Sequence, residues 1–200
     1  MRRSRVRSPF GIQAPQIPAQ LTLANPATAL SDAQQFSQLQ LTDCDFSGQR
    51  ASNVLFEQSH LVRVLFSQSV LALGQFVDLR CEVCDLAGAT WEKAHISQVA
   101  LLGCRTTGLK LMQATLEDVV FQQCSGDLGQ FWETNFSQVA FDRCTLREAS
   151  FAGANLAGVI FRGCDLTQVD LRGAGLKGTD FRGSILDGMQ VGIKELQGAI

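Results

Sequence analysis

The sequence repeats with a period of five residues, and this period constrains the fold more than any other feature. Of the 33 positions that recur every fifth residue from 36 onward, 26 are leucine or phenylalanine. The position two residues earlier is usually small: Ala, Cys, Ser, Thr, Val or Gly. A period of five matches neither an α-helix, which repeats every 3.6 residues, nor an alternating strand. It predicts a chain that turns a corner every five residues and points one large and one small side chain inward.

Identical residues also recur at intervals of four repeats, which predicts coils with four sides. The recurring sets are Cys44, Cys84, Cys104, Cys124, Cys144 and Cys164; Val99, Val119, Val139 and Val159; and Phe121, Phe141, Phe161 and Phe181. Stacked coils place like side chains above one another, and neighbouring coils would pair as parallel strands about 4.8 Å apart. We therefore predict an all-β fold over residues 34–200, a quadrilateral parallel β-helix of about eight coils.

Residues 1–33 lack the five-residue pattern and are predicted to form an N-terminal leader. The leader contains all four prolines of the chain and four arginines within its first eight residues. A secretion signal would require an apolar stretch after the arginines, and none follows them. We expect a flexible or partly helical leader, in which Asn25 caps a short helix over residues 26–34 that begins at Pro26. A basic arm for an anionic partner and a solvated tail both stay open as its role.

The best-formed repeats span residues 149–188 and read ASFAG ANLAG VIFRG CDLTQ VDLRG AGLKG TDFRG SILDG. They resemble the pentapeptide-repeat proteins, whose motif is A-(D/N)-L-x-x. The resemblance implies a right-handed quadrilateral β-helix with Leu or Phe as the central inward residue. Gly126 occupies one central position, and Gly129 beside it is also small. We therefore predict a bulge or a cavity around residues 125–129.

Candidate chemical groups fall largely on inward positions. Cys81 and Cys84 form a CxxC pair, which is typical of zinc or redox sites. Both, however, occupy inward repeat positions, where a thiol serves as a small hydrophobic group. His60 and His95 precede central residues and should face outward, and no carboxylate pair or Ser/His/Asp set accompanies them. We predict no catalytic site, no cofactor, no metal and hence no enzyme, with reduced thiols in a cytoplasmic protein.

Outward apolar residues mark the predicted partner-binding surface. The stripe on one face consists of Ala100, Val120, Ala140 and Ile160, flanked by Leu102, and a second outward pair consists of Met112 and Trp132. Exposed apolar patches usually indicate a partner surface, although β-branched residues also favour strands for their own sake. The chain is still in register at Ala199 and Ile200, so we expect a second copy or further chain to cover the last coil.

The charge balance limits the remaining functional classes. The formal net charge is −2, and residues 36–200 hold 13 basic and 18 acidic side chains. This balance provides no basic surface for nucleic acid, and no apolar run is long enough to span a membrane. We predict a rigid protein-interaction or scaffold module whose partner is another protein or a second copy. The resemblance implies one alternative, a DNA mimic that modulates DNA gyrase and protects it from toxins or quinolones, although a duplex carries far more charge.

Overall fold

The computed structural model describes residues 8–24, 29–192 and 195–200. Within these residues the chain winds into a four-sided parallel β-solenoid, as predicted. The described residues include no helix that could cross a membrane. The strands are β1 (Thr22–Ala24), β2 (Gln35–Ser37), β3 (Leu39–Thr42), β4 (Arg50–Ser52), β5 (Leu55–Val62), β6 (Val70–Ala72), β7 (Gln75–Glu82), β8 (His95–Leu102), β9 (Thr115–Gln122), β10 (Asn135–Asp142) and β11 (Ile160–Arg162).

Neighbouring coils from β2 onward pair in parallel, each residue with its equivalent four repeats later in the chain. The main sheet follows the order β1-β3-β5-β7-β8-β9-β10-β11, with β2 also paired to β5, and β4 and β6 form a second sheet. Val119, for example, is the partner of both Val99 and Val139. A column of single bridges runs from Asp45 to Ile185 in seven steps of one coil each. The described solenoid therefore has about seven full turns.

The corners of each coil fall two residues after each central residue and adopt the left-handed backbone conformation. At one corner, Gln98, Asp118 and Gln138 have φ angles of 54°, 54° and 55°. At another, Gly153 and Gly173 have φ angles of 67° and 71°, which glycine adopts without a steric penalty. The polar or glycine positions of the repeat are therefore the corners, where each strand direction changes.

The interior is filled by columns of stacked central side chains. The ring of Phe141 lies between those of Phe121 and Phe161, with centroid distances of 4.6 and 5.1 Å and nearly parallel planes. The cysteine column runs beside the rings, and the thiol of Cys124 donates to the carbonyl oxygen of Leu101 at 3.5 Å. Full burial of each large side chain contributes about 1.5–3 kcal/mol. These columns are the core that the four-repeat spacing predicted.

The predicted bulge or cavity at Gly126 and Gly129 is wrong. The bridge ladder continues through this coil without interruption. A Cβ atom added to Gly126 would lie 2.9 Å from Oγ1 of Thr106 and 3.0 Å from the Leu146 side chain. A Cβ atom added to Gly129 would lie 2.5 Å from the ring of Phe131. Side chains of the same and adjacent coils have therefore taken the space that the two glycines leave.

A cavity of about 30 Å³ lies instead beside Cys81. Cys81 occupies a central position between Leu61 and Leu101 in the neighbouring coils. Leu79 turns inward at the adjacent small position and is buried. Leu79 and Trp91 line the cavity but do not fill it, because one leucine in a small position does not replace the missing side-chain atoms of a central one.

The leader is extended at β1, where it joins the solenoid. β1 pairs with β3, and the backbone N–H of Thr22 donates to the carbonyl of Gln38 at 3.0 Å. The helix expected over residues 26–34 is not formed in its described part, where residues 29–34 contain a turn. Asn25 and Pro26 lie outside the described residues. The extended form prevails because the solenoid edge offers partners to the leader's backbone N–H groups; the domain boundary at residue 33 stays a prediction.

We predict that Cys81→Leu raises the free energy of unfolding by about 1 kcal/mol, because the added methyl groups fill the cavity with apolar contacts. Urea titration of the wild type and the variant measures this change. The matched control is Cys124→Leu, which places the same side chain in a small position of the filled stack and should cost about 1–3 kcal/mol. Equal destabilisation by both substitutions would contradict the assignment of the cavity.

Candidate functional site

The apolar stripe predicted from the sequence forms one continuous column. Ala100 pairs with Val120, Val120 with Ala140, and Ala140 with Ile160, and Leu102 flanks the column on the same face. This face is not open, however. Ala140 is fully buried. Its chain neighbours Val139 and Phe141 point inward, so the side chain of Ala140 must point outward. Phe10 of the leader lines one cleft with Ile160 and another with Val120, the two neighbours of Ala140 in the column, so the leader lies over Ala140.

The covering segment, residues 8–19, is called the strap below. It begins in a turn closed by a hydrogen bond from the N–H of Gly11 to the carbonyl of Ser8 at 2.9 Å. Phe10, within this turn, places its ring 4.3 Å from the Cζ atom of Arg162, a cation–π contact worth about 0.5–1 kcal/mol. Ile12 is 2% exposed. These two apolar side chains attach the start of the strap to the solenoid.

Two backbone N–H groups hold the middle of the strap. The N–H of Gln13 donates to Oδ1 of Asp118 at 2.9 Å, and the N–H of Gln16 donates to Oδ1 of Asp78 at 2.7 Å. Asp118 and Asp78 occupy the same corner two coils apart. Burial raises the pKa of Asp78, while the hydrogen bond from Gln16 opposes that rise. The strap thus runs against the direction of coil growth, from late coils to early ones.

A buried carboxylate lies next to the strap. The side chain of Asp142 is 1% exposed and accepts hydrogen bonds from Nε of Arg162 at 2.9 Å, Nη2 of Arg143 at 3.1 Å and Nε2 of Gln122 at 2.9 Å. Burial alone would raise the pKa of Asp142, but these three donors together hold it below its usual value. The carboxylate is therefore ionised at neutral pH, and it positions the guanidinium that contacts Phe10.

Met112 and Trp132 lie on the opposite face of the solenoid, one coil apart in the register of the bridge between Lys110 and Gln130. Trp132 is 39% exposed and Met112 is half-buried. Leu128, which is 50% exposed at the preceding corner, was not among the predicted surface residues. Its signal was a leucine in a position that is elsewhere mostly polar or glycine. Met112, Leu128 and Trp132 together are called the Trp132 face.

Much of the acidic surface is neutralised by neighbouring cations. Arg63 pairs with Asp43 one coil earlier through two hydrogen bonds of 2.7 Å. Both histidines face outward, as predicted; Nε2 of His60 lies 3.4 Å from Glu82, and His95 is exposed. Among the described residues, the carboxylates with a basic nitrogen within 4 Å include Asp43, Glu82, Asp85, Glu92, Asp142, Asp165, Asp170 and Asp180.

The thiols of the CxxC pair are sealed inside the solenoid. Cys81 and Cys84 are buried free thiols, and the other five cysteines are buried as well. Within the described residues, no group of three or more His, Cys, Asp or Glu side chains is arranged to hold a metal ion. The cysteine column therefore packs as small apolar side chains.

Two family models match the chain. The pentapeptide repeat region model matches residues 75–151, and the pentapeptide repeats model, with eight copies, matches residues 149–188. Together they cover more than half of the chain. The chain therefore belongs to the pentapeptide-repeat proteins.

Two solved structures are similar to this chain. HetL, a pentapeptide repeat protein involved in heterocyst differentiation regulation from the cyanobacterium Nostoc sp. strain PCC 7120, is 18% identical with a TM-score of 0.50, over 84% of this chain and 90% of HetL. A trypsin-treated form of QnrB1, a plasmid-mediated fluoroquinolone resistance protein, is 17% identical with a TM-score of 0.41, over 92% of this chain and 100% of QnrB1. No curated protein sequence matches this chain. At these identities the likeness to HetL supports the fold alone.

We predict that Arg162→Met lowers the free energy of unfolding by about 2 kcal/mol at pH 7, because it removes one of the cations that compensate the buried Asp142. The folded-state pKa of Asp142 is depressed, so its stabilising contribution is present above the unfolded pKa of about 3.9 and disappears as the pH falls through the folded value. Urea titrations at pH 7 and near pH 3 should show the difference between wild type and variant shrinking.

The matched control is Arg182→Met, one coil later in the same column. Arg182 is 76% exposed and pairs with Asp180 at 2.6 Å. Asp180 is 16% exposed, against 1% for Asp142, so water screens this pair more and the control should change the free energy of unfolding by less than about 0.5 kcal/mol. Equal losses in the two variants, or a loss at Arg162 that persists at low pH, would contradict the role assigned to the buried carboxylate.

Proposed function

We propose that the protein is a non-enzymatic, rigid interaction module that binds a protein partner through the Trp132 face. The observation that carries this proposal is the exposed side chain of Trp132, which lies with Met112 and the exposed Leu128 on one side of the solenoid. Tryptophan side chains in the centre of a surface patch commonly supply most of an interface's binding energy. The hydrogen-bonded ladder fixes the spacing of Met112, Leu128 and Trp132, so little conformational entropy is lost when a partner binds.

The paired carboxylates disfavour the alternative of a DNA mimic that modulates gyrase. A duplex presents one negative charge for about every 1.7 Å of its axis. Here Asp43, Asp85 and Asp180 each lie against an arginine, which leaves a patchwork of both signs on the surface. We further propose a cytoplasmic location, because seven buried cysteines, among them the free thiols of Cys81 and Cys84, suit a reducing compartment.

We predict that Trp132→Ser weakens binding of the module's partner by at least about tenfold, which corresponds to about 1.4 kcal/mol. Immobilised wild-type and variant proteins are incubated with extract of the source cells, and the retained proteins are quantified by mass spectrometry. A partner lost from Trp132→Ser but retained by the matched control Ile185→Ser supports the proposal. Ile185 is 51% exposed and lies on a different face. A partner retained equally by both variants would contradict it.

A supercoiling assay with DNA gyrase tests the alternative directly. The wild-type protein should leave inhibition by a quinolone unchanged, because its surface lacks the continuous negative charge of a duplex. Protection of gyrase by the wild type that survives the Trp132→Ser substitution would refute the proposed module and favour the mimic. Circular dichroism of each variant confirms that the solenoid is intact.

A further inference from the structure

Two backbone N–H groups, three residues apart, hold the middle of the strap. The N–H groups of Gln13 and Gln16 point to the same corner column, where their acceptors Asp118 and Asp78 lie two coils apart. Two coils span about 9.6 Å, and three residues of polyproline II helix advance about 9.3 Å. In a β-strand, successive backbone groups alternate between sides with a period of two. The three-residue match therefore favours polyproline II geometry.

The strap sequence has the same period. Residues 13–18 read QAP QIP, two triplets that each end in proline. Proline has no N–H and fixes φ near the polyproline II value, so Pro15 and Pro18 restrict the conformation without leaving donors unsatisfied. Each triplet brings its glutamine N–H to the corner column. The two-coil spacing of the acceptors in the groove thus matches the length of one three-residue repeat of the strap.

The strap does not fill its groove. A cleft of about 440 Å³ lies between the strap residues Phe10 and Ile12 and the solenoid residues Gln138 and Ile160. A second cleft of about 170 Å³ is lined by the strap and by solenoid residues that include Val120. A segment with bulkier side chains would make more contacts there than the strap does. The groove is therefore wider than its present occupant.

We propose that this groove, formed by Asp78, Asp118 and the apolar stripe, docks a proline-rich polyproline II segment of a partner protein, and that the strap occupies it when that segment is absent. The matching segment has proline at every third residue, free N–H groups three residues apart and apolar side chains toward Val120 and Ile160. Its prefolded conformation lowers the entropy lost on binding. The groove is separate from the Trp132 face, so the two proposals fail independently.

The test uses the 200-residue chain with Phe10→Ala and Ile12→Ser, which weakens the strap and leaves the groove intact. The probe is a fluorescent peptide of four Gln-Ala-Pro triplets, titrated by anisotropy. In the wild type the tethered strap competes at an effective concentration on the order of millimolar. The variant should therefore bind the peptide at least about tenfold more tightly than the wild type. A peptide of Gln-Ala-Gly-Pro repeats, which breaks the three-residue spacing, should not bind either protein.

Protein controls separate the groove from the rest of the surface. Adding Asp118→Ala to the weakened chain should reduce peptide affinity at least about tenfold, which corresponds to about 1.4 kcal/mol. Adding Glu148→Ala, a carboxylate at a different corner, or Trp132→Ser should leave affinity unchanged. A folded variant that binds neither peptide, or both alike, would overturn the proposal.

Two further measurements keep the test decisive. Should the double variant lose its circular dichroism signal, hydrogen exchange of the wild type replaces it: excess triplet peptide should accelerate exchange at Gln13 and Gln16, and unchanged exchange overturns the proposal. Sedimentation of the wild type distinguishes another occupant. A doubled mass that the Phe10→Ala and Ile12→Ser substitutions abolish would assign the groove to the strap of a second copy and refute a foreign segment.

Discussion

The fold depends on one interaction, the parallel hydrogen-bonded ladder that joins every coil to the next in a fixed register. In the later coils, for example, the N–H of Leu166 donates to the carbonyl of Ile185 at 2.9 Å, and the N–H of Ile185 donates back to Cys164. The ladder places each inward side chain directly over its equivalent, which lets rings such as Phe141 and Phe161 stack. It equally arranges outward residues in straight columns at a fixed spacing of about 4.8 Å. Outward residues of successive coils therefore lie one above another at a regular spacing. This spacing brings oppositely charged side chains of neighbouring coils within ion-pair distance.

The fold was predictable because the five-residue period and its fourfold multiple admit few other arrangements. Central positions, corners and register all follow from counting, and the aromatic column ending at Phe181 is formed as expected. The local packing was not predictable in the same way. Gly126 looked like a defect, yet Thr106 and Leu146 reach into its space, whereas the actual cavity lies at Cys81. A one-dimensional pattern gives the size of each side chain but not the direction in which larger neighbours lean to fill a gap.

The candidate site was predictable only in its repeating half. The column of Ala100, Val120, Ala140 and Ile160 is where the spacing placed it, and Trp132 is exposed as expected. The cover over Ala140 was missed because the strap attaches largely through backbone N–H groups, which no side-chain pattern reveals. Two features of the leader did carry the signal: bulky apolar Phe10 and Ile12 directly after the arginine-rich start, and prolines spaced three residues apart. These features indicate a strap only when the proline spacing is compared with the distance between two coils, and the leader sequence does not give that distance.

A solenoid of this kind leaves little scope for a change of shape. Each inner coil is locked to two neighbours, and interior positions are filled to van der Waals contact over most of the length. Any response to a partner must then arise in a segment outside the ladder.

The strap is such a segment. It is held by two N–H groups on the carboxylates of Asp118 and Asp78, by one ring on Arg162 and by the buried side chain of Ile12. These are far fewer contacts than a coil makes. On the proposed assignment, the molecule has one face that is always available, at Trp132, and a second that becomes available when a segment of matching period displaces the strap. The rigid solenoid fixes the distance between the acceptor carboxylates, and the leader is the part of the molecule that moves when a partner binds.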